Sequence, residues 1–336
     1  MRTTVIASMR NEGAFIVEWV SWYRMLGFTN IVVVTNDCVD RSPELLDALQ
    51  KTGWLKHQPC VVPEGERVTI TKLKAARRLP EVANADWILI CDVDEYLVIH
   101  RGAGLLADLI GAGAPEFLGM SINWRVFGNQ GVPDYQDMPV HRQFFKAVGA
   151  ESHLSKFVKS LHRKPKWFAR LGEHGPVQLK PERMQADGGG AWGDPGLVWV
   201  NSAGGRIDSW GPGAEQLREL RPEDCDYSGA QFNHYMLRSG ESFSLKRGTL
   251  SPTAAKPRYT AKYQMHANLH DLTDKTALRY AAAFDRAYAE VMAVPQVARL
   301  HHLCCADHVR LIAERAGQRA EDDPRYQRYM ELAGQV

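Results

Sequence analysis

Trp87-Ile88-Leu89-Ile90-Cys91-Asp92-Val93-Asp94-Glu95-Tyr96 sets an apolar run directly against three acids. The run reads as a buried parallel strand. Strand side chains alternate between faces, so Asp92 and Asp94 are expected to project the same way. At the C-terminal edge of a parallel sheet such a pair is half of a divalent-cation site. Mg²⁺ or Mn²⁺ held by two carboxylates completes its shell with phosphate oxygens and water. That points to a phosphorylated substrate, most simply a nucleoside diphosphate. Two solvated turn aspartates are the plain alternative; the apolar run and the third acid, Glu95, favour the site.

Upstream, strand and helix alternate. A strand is expected at Thr4–Ser8, a helix with a broad apolar face at Ala14–Leu26, and a second strand at Asn30–Thr35. A helix to about Gln50, a strand at Trp54–Gln58, a basic helix at Thr69–Leu79 and a strand at Asp86–Cys91 follow. This alternation predicts a parallel sheet with right-handed crossovers. Its C-terminal rim would gather Arg10, Asn11, Glu12, Asp37, Asp40, Asp92 and Asp94, where open α/β sheets bind ligands. Beyond Ile99, a small helix is expected at Gly102–Gly113, and strands at Phe117–Arg125 and Ser155–Arg163. Gln185–Gly213 is rich in Gly, Trp and Asp without periodicity, and reads as a substrate loop or an irregular excursion. From Ser239 the pattern is helical: Glu241–Arg247, Ala261–Asn268, Lys275–Val291, Val297–Ala316 and Arg325–Leu332.

Composition excludes little. The 336 residues carry a formal charge of +2, and 24% are charged, which does not suggest a nucleic-acid or membrane coat. The six cysteines form no C-x-x-C pair and read as reduced cytosolic thiols. The N-terminal apolar stretch is too short for a signal peptide, and no window is long enough to span a bilayer. A soluble protein whose fold begins at once is the expectation.

Read in order, Arg10-Asn11-Glu12, Glu18-Trp19-Val20, Leu26-Gly27-Phe28, Asn36-Asp37 and Asp40-Arg41-Ser42 resemble the opening of family-2-like glycosyltransferases. The branch that also resembles glycosyltransferase family 92 is the nearest. The likeness continues through Asp92-Val93-Asp94-Glu95-Tyr96-Leu97, Trp124-Arg125-Val126-Phe127-Gly128, Lys156 to Arg163, and Gly172-Glu173-His174. It closes with Asn233 to Ser239 and Phe243 to Gly248. The blocks run from about residue 4 to about 250; many relatives carry Lys or Tyr where this chain has Arg10. The resemblance implies a GT-A fold: a Rossmann-like, mostly parallel sheet flanked by helices, here with a helical C-terminal region. Residues 1–238 would then be the nucleotide-sugar- and acceptor-binding catalytic domain, and 239–336 a helical extension packed on it.

The resemblance also implies a chemistry. A Mn²⁺ or Mg²⁺ ion on Asp92 and Asp94 would neutralise the departing phosphate. His234 is either a further metal ligand, as GT-A enzymes often recruit a late histidine, or a histidine packed in a strand beside Tyr235. Arg238, Lys246, Arg247 and Lys156 are phosphate-holding candidates, with solvated cations as the plain alternative. Arg10, Asn11 and Glu12 belong to the nucleotide loop, and Asp37 is placed to accept hydrogen bonds from uracil or ribose. Lys72 either reaches the base or a phosphate or lies on a solvated face. Glu173 and His174, in a glycine-flanked turn, are the candidates for the base of an inverting transfer. The plain alternative makes Glu173 an exposed turn acid and His174 a positioning or metal-binding group. A UDP-sugar is the favoured donor, because most metal-dependent relatives use UDP. The acceptor would be a glycan or lipid-linked glycan precursor of polysaccharide biosynthesis, met in the cytoplasm, including the inner membrane face.

Other signals compete. His301, His302, Cys304, Cys305 and His308 invite a zinc reading. They sit in an expected helix with Leu300, Leu303 and Val309, at no standard zinc spacing, so a helix burying two thiols is the expectation. Trp192, Trp199 and Trp210 stack on a sugar or pin their loop. The rival from another class is a haloacid dehalogenase-type phosphohydrolase using Asp92 as nucleophile and Asp94 as acid, whose motif normally ends the first strand. A nucleotide-sugar-binding GT-A protein without turnover is a third reading.

Overall fold

β-branched and apolar runs build the sheet. The structure, a computed structural model, describes residues 1–111, 116–250 and 257–336. The strands β1 (Thr3–Met9), β2 (Asn30–Thr35), β3 (Lys56–Pro59), β4 (Trp87–Ile90), β5 (Glu95–Ile99) and β6 (Gly119–Val126) come first. They are followed by β7 (Lys146–Ala147), β8 (Val158–Arg163), β9 (Phe168–Gly172), β10 (Gly175–Leu179), β11 (Trp199–Asn201), β12 (Ala230–His234) and β13 (Leu272–Thr273). Among the described residues one 9-stranded sheet runs in the order β3-β2-β1-β4-β8-β6-β12-β5, with β11 also paired to β6. β8 and β5 run antiparallel to their neighbours, and every other pairing in the sheet is parallel. β9 with β10 and β7 with β13 form small separate ribbons.

Continuous apolar strands mean that both faces are covered. Val5, Ala7, Ile31, Val33 and Leu89 join the larger core with the helix Gly13–Met25. Ile6, Val32, Val34, Ile88 and Ile90 face the other way, onto Leu73 and Ala76 of the helix Val68–Ala76. The C-terminal helices Ala281–Met292, Pro295–Arg315 and Pro324–Gln335 extend the larger core, contributing Phe284, Cys304, Ile312 and Tyr329. The expected class therefore holds: a mixed α/β fold with a mostly parallel sheet flanked by helices and a helical C-terminal region.

The differences from expectation have local causes. β5 was not anticipated, and β12 was expected only as the packed-strand alternative for His234; the two pair antiparallel, Asn233 opposite Tyr96 and His234 opposite Glu95. The small helix is confined to Leu106–Ile110, and residues 112 and 113 of the expected one lie outside the described residues. Ser155 belongs to a 3₁₀ turn, His153–Lys156, that precedes β8. Trp199 and Trp210 are buried in a separate core with Phe168, and Trp192 packs against it, so these rings pin the irregular segment to the body. Among the described residues no helix is long and apolar enough to cross a membrane.

The tail helix Pro295–Arg315 packs closely on the first helix. A Cβ at Gly13 would stand 2.6 Å from Cys304 Sγ. Gly13→Ala should therefore destabilise by about 1–3 kcal/mol through overpacking. In a Cys304→Ala background, where Sγ is gone, the same substitution should cost less. Thermal denaturation of the four proteins checks this coupling.

Candidate active site

β4 ends at Ile90, and a tight turn carries the acids into β5. Glu95 N–H donates to Asp92 O at 3.1 Å, and Glu95 Oε2 accepts from Asp92 N–H at 2.7 Å. The strand-alternation argument for Asp92 and Asp94 thus fails: both lie beyond the strand, and the turn gives them different surroundings. Asp92 is half-exposed, whereas Asp94 is buried.

Cations crowd this turn. Lys159, on the inserted antiparallel strand β8, is buried with Nζ 3.2 Å from Asp92 Oδ2 and 3.0 Å from Glu95 Oε2. It also donates to Glu173 O at 2.8 Å. Burial alone would lower its pKa, but Asp92 and Glu95 outweigh that and hold the ammonium charged. Burial pushes the Glu95 carboxyl up to about 7 against the pull of Lys159. Lys246, from the helix Gly240–Lys246, donates to Asp94 Oδ2 at 2.8 Å and to Met236 O at 3.1 Å. Burial works to raise the Asp94 carboxyl, but Lys246, His234 and Arg238 hold it well below its ordinary value.

His234 closes β12 opposite Glu95. Its Nε2 lies 3.4 Å from Asp94 Oδ1 and its Nδ1 3.7 Å from Glu95 Oε1. Trp124 of β6 packs edge-on against the imidazole at 4.4 Å between centroids. Arg238 follows with a left-handed φ of 53°. Its Nη1 donates to Glu12 Oε2 at 2.8 Å, and the guanidinium lies 3.5 Å over the Phe15 ring. Its Nε and Nη2 are buried without a hydrogen-bond partner.

The loop after β1 forms the neighbouring rim. Arg10 Nε donates to Asp37 O at 3.2 Å, and Asn11 Oδ1 accepts from Val39 N–H at 2.7 Å. Asn11 and Asp37 both have positive φ, 56° and 45°. Lys72 differs from its solvated-face alternative. It is buried, with Nζ donating to Met9 O at 2.8 Å and Asn36 Oδ1 at 2.7 Å, and desolvation lowers its pKa to about 8. It braces the rim from beneath.

The Glu173–His174 turn reaches the acid turn through Lys159. Glu173 Oε1 lies 3.2 Å from Arg218 Nη2 and 3.7 Å from His174 Nε2. His174 Nδ1 donates to Val158 O at 2.8 Å, and desolvation together with Lys159 keeps the ring neutral. Lys156 is not brought to the acids; its carbonyl accepts from Leu220 N–H, and its charge acts on the Cys225 thiol. Lys159, Arg218 and Arg258 were not singled out from the sequence. Arg258 packs by Tyr263, and its charge acts on Asp92 and Glu173.

The donors suit a divalent ion that keeps part of its shell for a ligand. Asp94 Oδ1 and His234 Nε2 face one another, and Glu95 Oε1 stands behind His234 Nδ1, both of these atoms buried without a hydrogen-bond partner. Glu95 Oε1 is too far from Nδ1 for a hydrogen bond, so it acts on the ring through charge alone. Asp92 stands further off. The Asp92–Asp94–His234 set is not among the groups of described residues whose donor atoms all lie within 4.8 Å of one another.

No family model and no curated protein matches the chain. Among solved structures, S. aureus TarS 1–349 overlaps it at TM-score 0.33 with 11% identity, covering 100% of this chain and 92% of that one. The same fragment in complex with UDP gives TM-score 0.34 and 12% identity over 100% of this chain and 92% of that one. With UDP-GlcNAc it gives TM-score 0.33 and 12% identity over the same 100% and 92%. Overlap this loose carries no argument about the activity of this chain.

Two measurements test the electrostatics of the turn. Glu95 has an ordinary value of 4.5 and a folded value of about 7, so between these the fold binds more protons than the unfolded chain. Its contribution to stability is therefore complete below the lower value and declines as pH rises to the upper one. Glu95→Gln should flatten that part of the pH–stability curve, read from urea midpoints across the window. Lys159→Met removes the cation that holds Glu95 as low as about 7, so its cost should grow as pH rises above 7, an increase that Lys159→Met/Glu95→Gln should lack.

Proposed function

We propose that this chain is a GT-A glycosyltransferase that moves a hexosyl group from a nucleoside diphosphate sugar, with UDP favoured, to a glycan or glycan-precursor acceptor. The observation that carries the reading is the acid turn at the C-terminal edge of β4, ringed by Lys159, Lys246, Arg238 and Arg258. Carboxylates and cations together at that edge suit a metal-bound pyrophosphate, since neither set alone neutralises both partners. The order of motif blocks along the chain supports the same reading and its placement near the branch that resembles family 92.

Mn²⁺ or Mg²⁺ held by Asp94, His234 and Asp92 would supply Lewis-acid stabilisation of the leaving diphosphate. The chain's own residues do the rest. Lys246 and Arg238 place positive charge beside Asp94, where phosphate oxygens would lie. The buried free donors of Arg238 are suited to donate to such an oxygen after a small side-chain shift. Asn11 and Asp37, held in left-handed backbone, form the edge on which the nucleoside would rest. Glu173 is the base for an inverting transfer: its carboxylate faces Arg218, and its backbone is tied to the acid turn by Lys159. Neutral His174, anchored through Nδ1, orients it. The phosphohydrolase alternative would put its acid pair at the end of the first strand, where this chain has Arg10-Asn11. We place the reaction on the cytoplasmic side, in polysaccharide biosynthesis.

Calorimetric titration of UDP, GDP and CDP with Mn²⁺ and with chelator tests the donor class. One nucleotide should bind tightly, roughly 100-fold more weakly with chelator or in Asp94→Asn, and roughly 10-fold more weakly in Lys246→Met. Metal-independent, nucleotide-indifferent binding would overturn the reading. Glu173→Gln should leave the nucleotide affinity within a factor of about two while lowering kcat by roughly 10²–10⁴.

A further inference from the structure

On the opposite side of the first helix from the sheet, three donors from distant segments converge. His301 and Cys305 stand one turn apart on the helix Pro295–Arg315, and Asp137 comes from the loop before Val140. His301 Nε2 is 3.2 Å from Asp137 Oδ2 and 3.7 Å from Cys305 Sγ. Among the described residues this is the set of three metal-capable groups whose donor atoms all lie within 4.8 Å. A tetrahedral zinc ion with ordinary bond lengths separates its nitrogen and oxygen ligands by about 3.3 Å, and its nitrogen and sulfur ligands by about 3.5 Å. The two spacings from His301 Nε2 match those edges to within a few tenths of an ångström, and the third pair lies within 4.8 Å.

A second observation points to a ligand position. A cavity of about 10 Å³, lined by Phe15, Glu18, Tyr135, Tyr288, Asp137 and His301, adjoins the cluster. That is room for about one water molecule. Tyr288 OH lies 3.3 Å from His301 Nε2 at its wall. The ring's contacts are confined to the Nε2 side, since His301 Nδ1 is buried without a partner.

We propose that Asp137, His301 and Cys305 bind one zinc ion, with a water in the adjoining cavity as the fourth ligand. The sulfur and imidazole ligands favour zinc over Mg²⁺ and Mn²⁺, the reverse of the oxygen-rich turn at β4. The ion would cross-link the 133–139 loop to the tail helix, beside the existing hydrogen bond from Asp137 N–H to Tyr329 OH at 3.3 Å. It makes no claim on the glycosyltransferase reading.

Equilibrium dialysis of Asp94→Asn against Zn²⁺, with metal analysis, should find one zinc per chain, the substitution having removed the acid turn as a competing site. Zinc should raise Tm, and Mg²⁺ or Mn²⁺ should not do so through this site. Co²⁺ in its place should show tetrahedral visible bands and thiolate charge transfer in the near ultraviolet. Cys305→Ser should abolish the charge-transfer band and weaken zinc binding by roughly 100-fold or more, whereas Cys304→Ala should keep both. If Cys305→Ser does not fold, Asp137→Asn, on the exposed loop, decides the matter by the same loss of affinity. No bound zinc, or zinc indifferent to Cys305→Ser and Asp137→Asn, would overturn the proposal.

Discussion

The structure turns on one buried ammonium. Lys159 enters the acid turn from β8, a strand running against both neighbours, and its single charge faces Asp92, Glu95 and the carbonyl of Glu173. Without it Glu95 would be buried only as the neutral acid, and burying the two as ions costs stability that well-packed apolar groups would not. What the arrangement supplies instead is position. The ion pair fixes the β4–β5 turn, Glu95 then stands behind His234, and the Glu173 turn is drawn to the same centre.

Much of the scaffold was legible because its strands are buried on both faces. β1, β2 and β4 read as continuous apolar runs, and the first helix as a broad apolar face. β5 was missed because Tyr96-Leu97-Val98-Ile99 follows the acids with no Gly or Pro to mark a turn. β12 was legible only as one of two alternatives for His234, because Gln231, Asn233 and His234 look solvated. They are buried because Gln231 donates to Asn233 Oδ1 at 2.7 Å and Asn233 to Tyr235 OH at 3.1 Å. Asp92, Asp94 and His234 stood out by residue type and order. Lys159 did not, since a basic residue in an alternating strand reads as solvated until the strand is known to lie between two others. Asp137 was invisible for the opposite reason: nothing local links a loop acid to a helix 164 residues away.

The tail holds the rim without reaching into it. Asp307 accepts from Arg41 N–H at 3.0 Å and from Arg41 Nη1 at 2.6 Å, and Asp40 in turn accepts from Gly13 N–H at 3.0 Å. His308 Nε2 lies 3.0 Å from Ser242 Oγ, on the helix that carries Lys246. Contacts from the last tenth of the chain thus brace Arg41, in the loop after β2, and the helix that carries Lys246.

This division has a consequence for how the molecule is made. As the chain emerges from the ribosome, β1 to β4 can pair at once, but β4 has no second neighbour until β8 arrives. Glu95 would then wait some sixty residues for Lys159, and β5 far longer for β12. The acid turn is therefore written early and completed late, with its charges open to water and to stray cations until Lys159, and then His234 and Lys246, arrive.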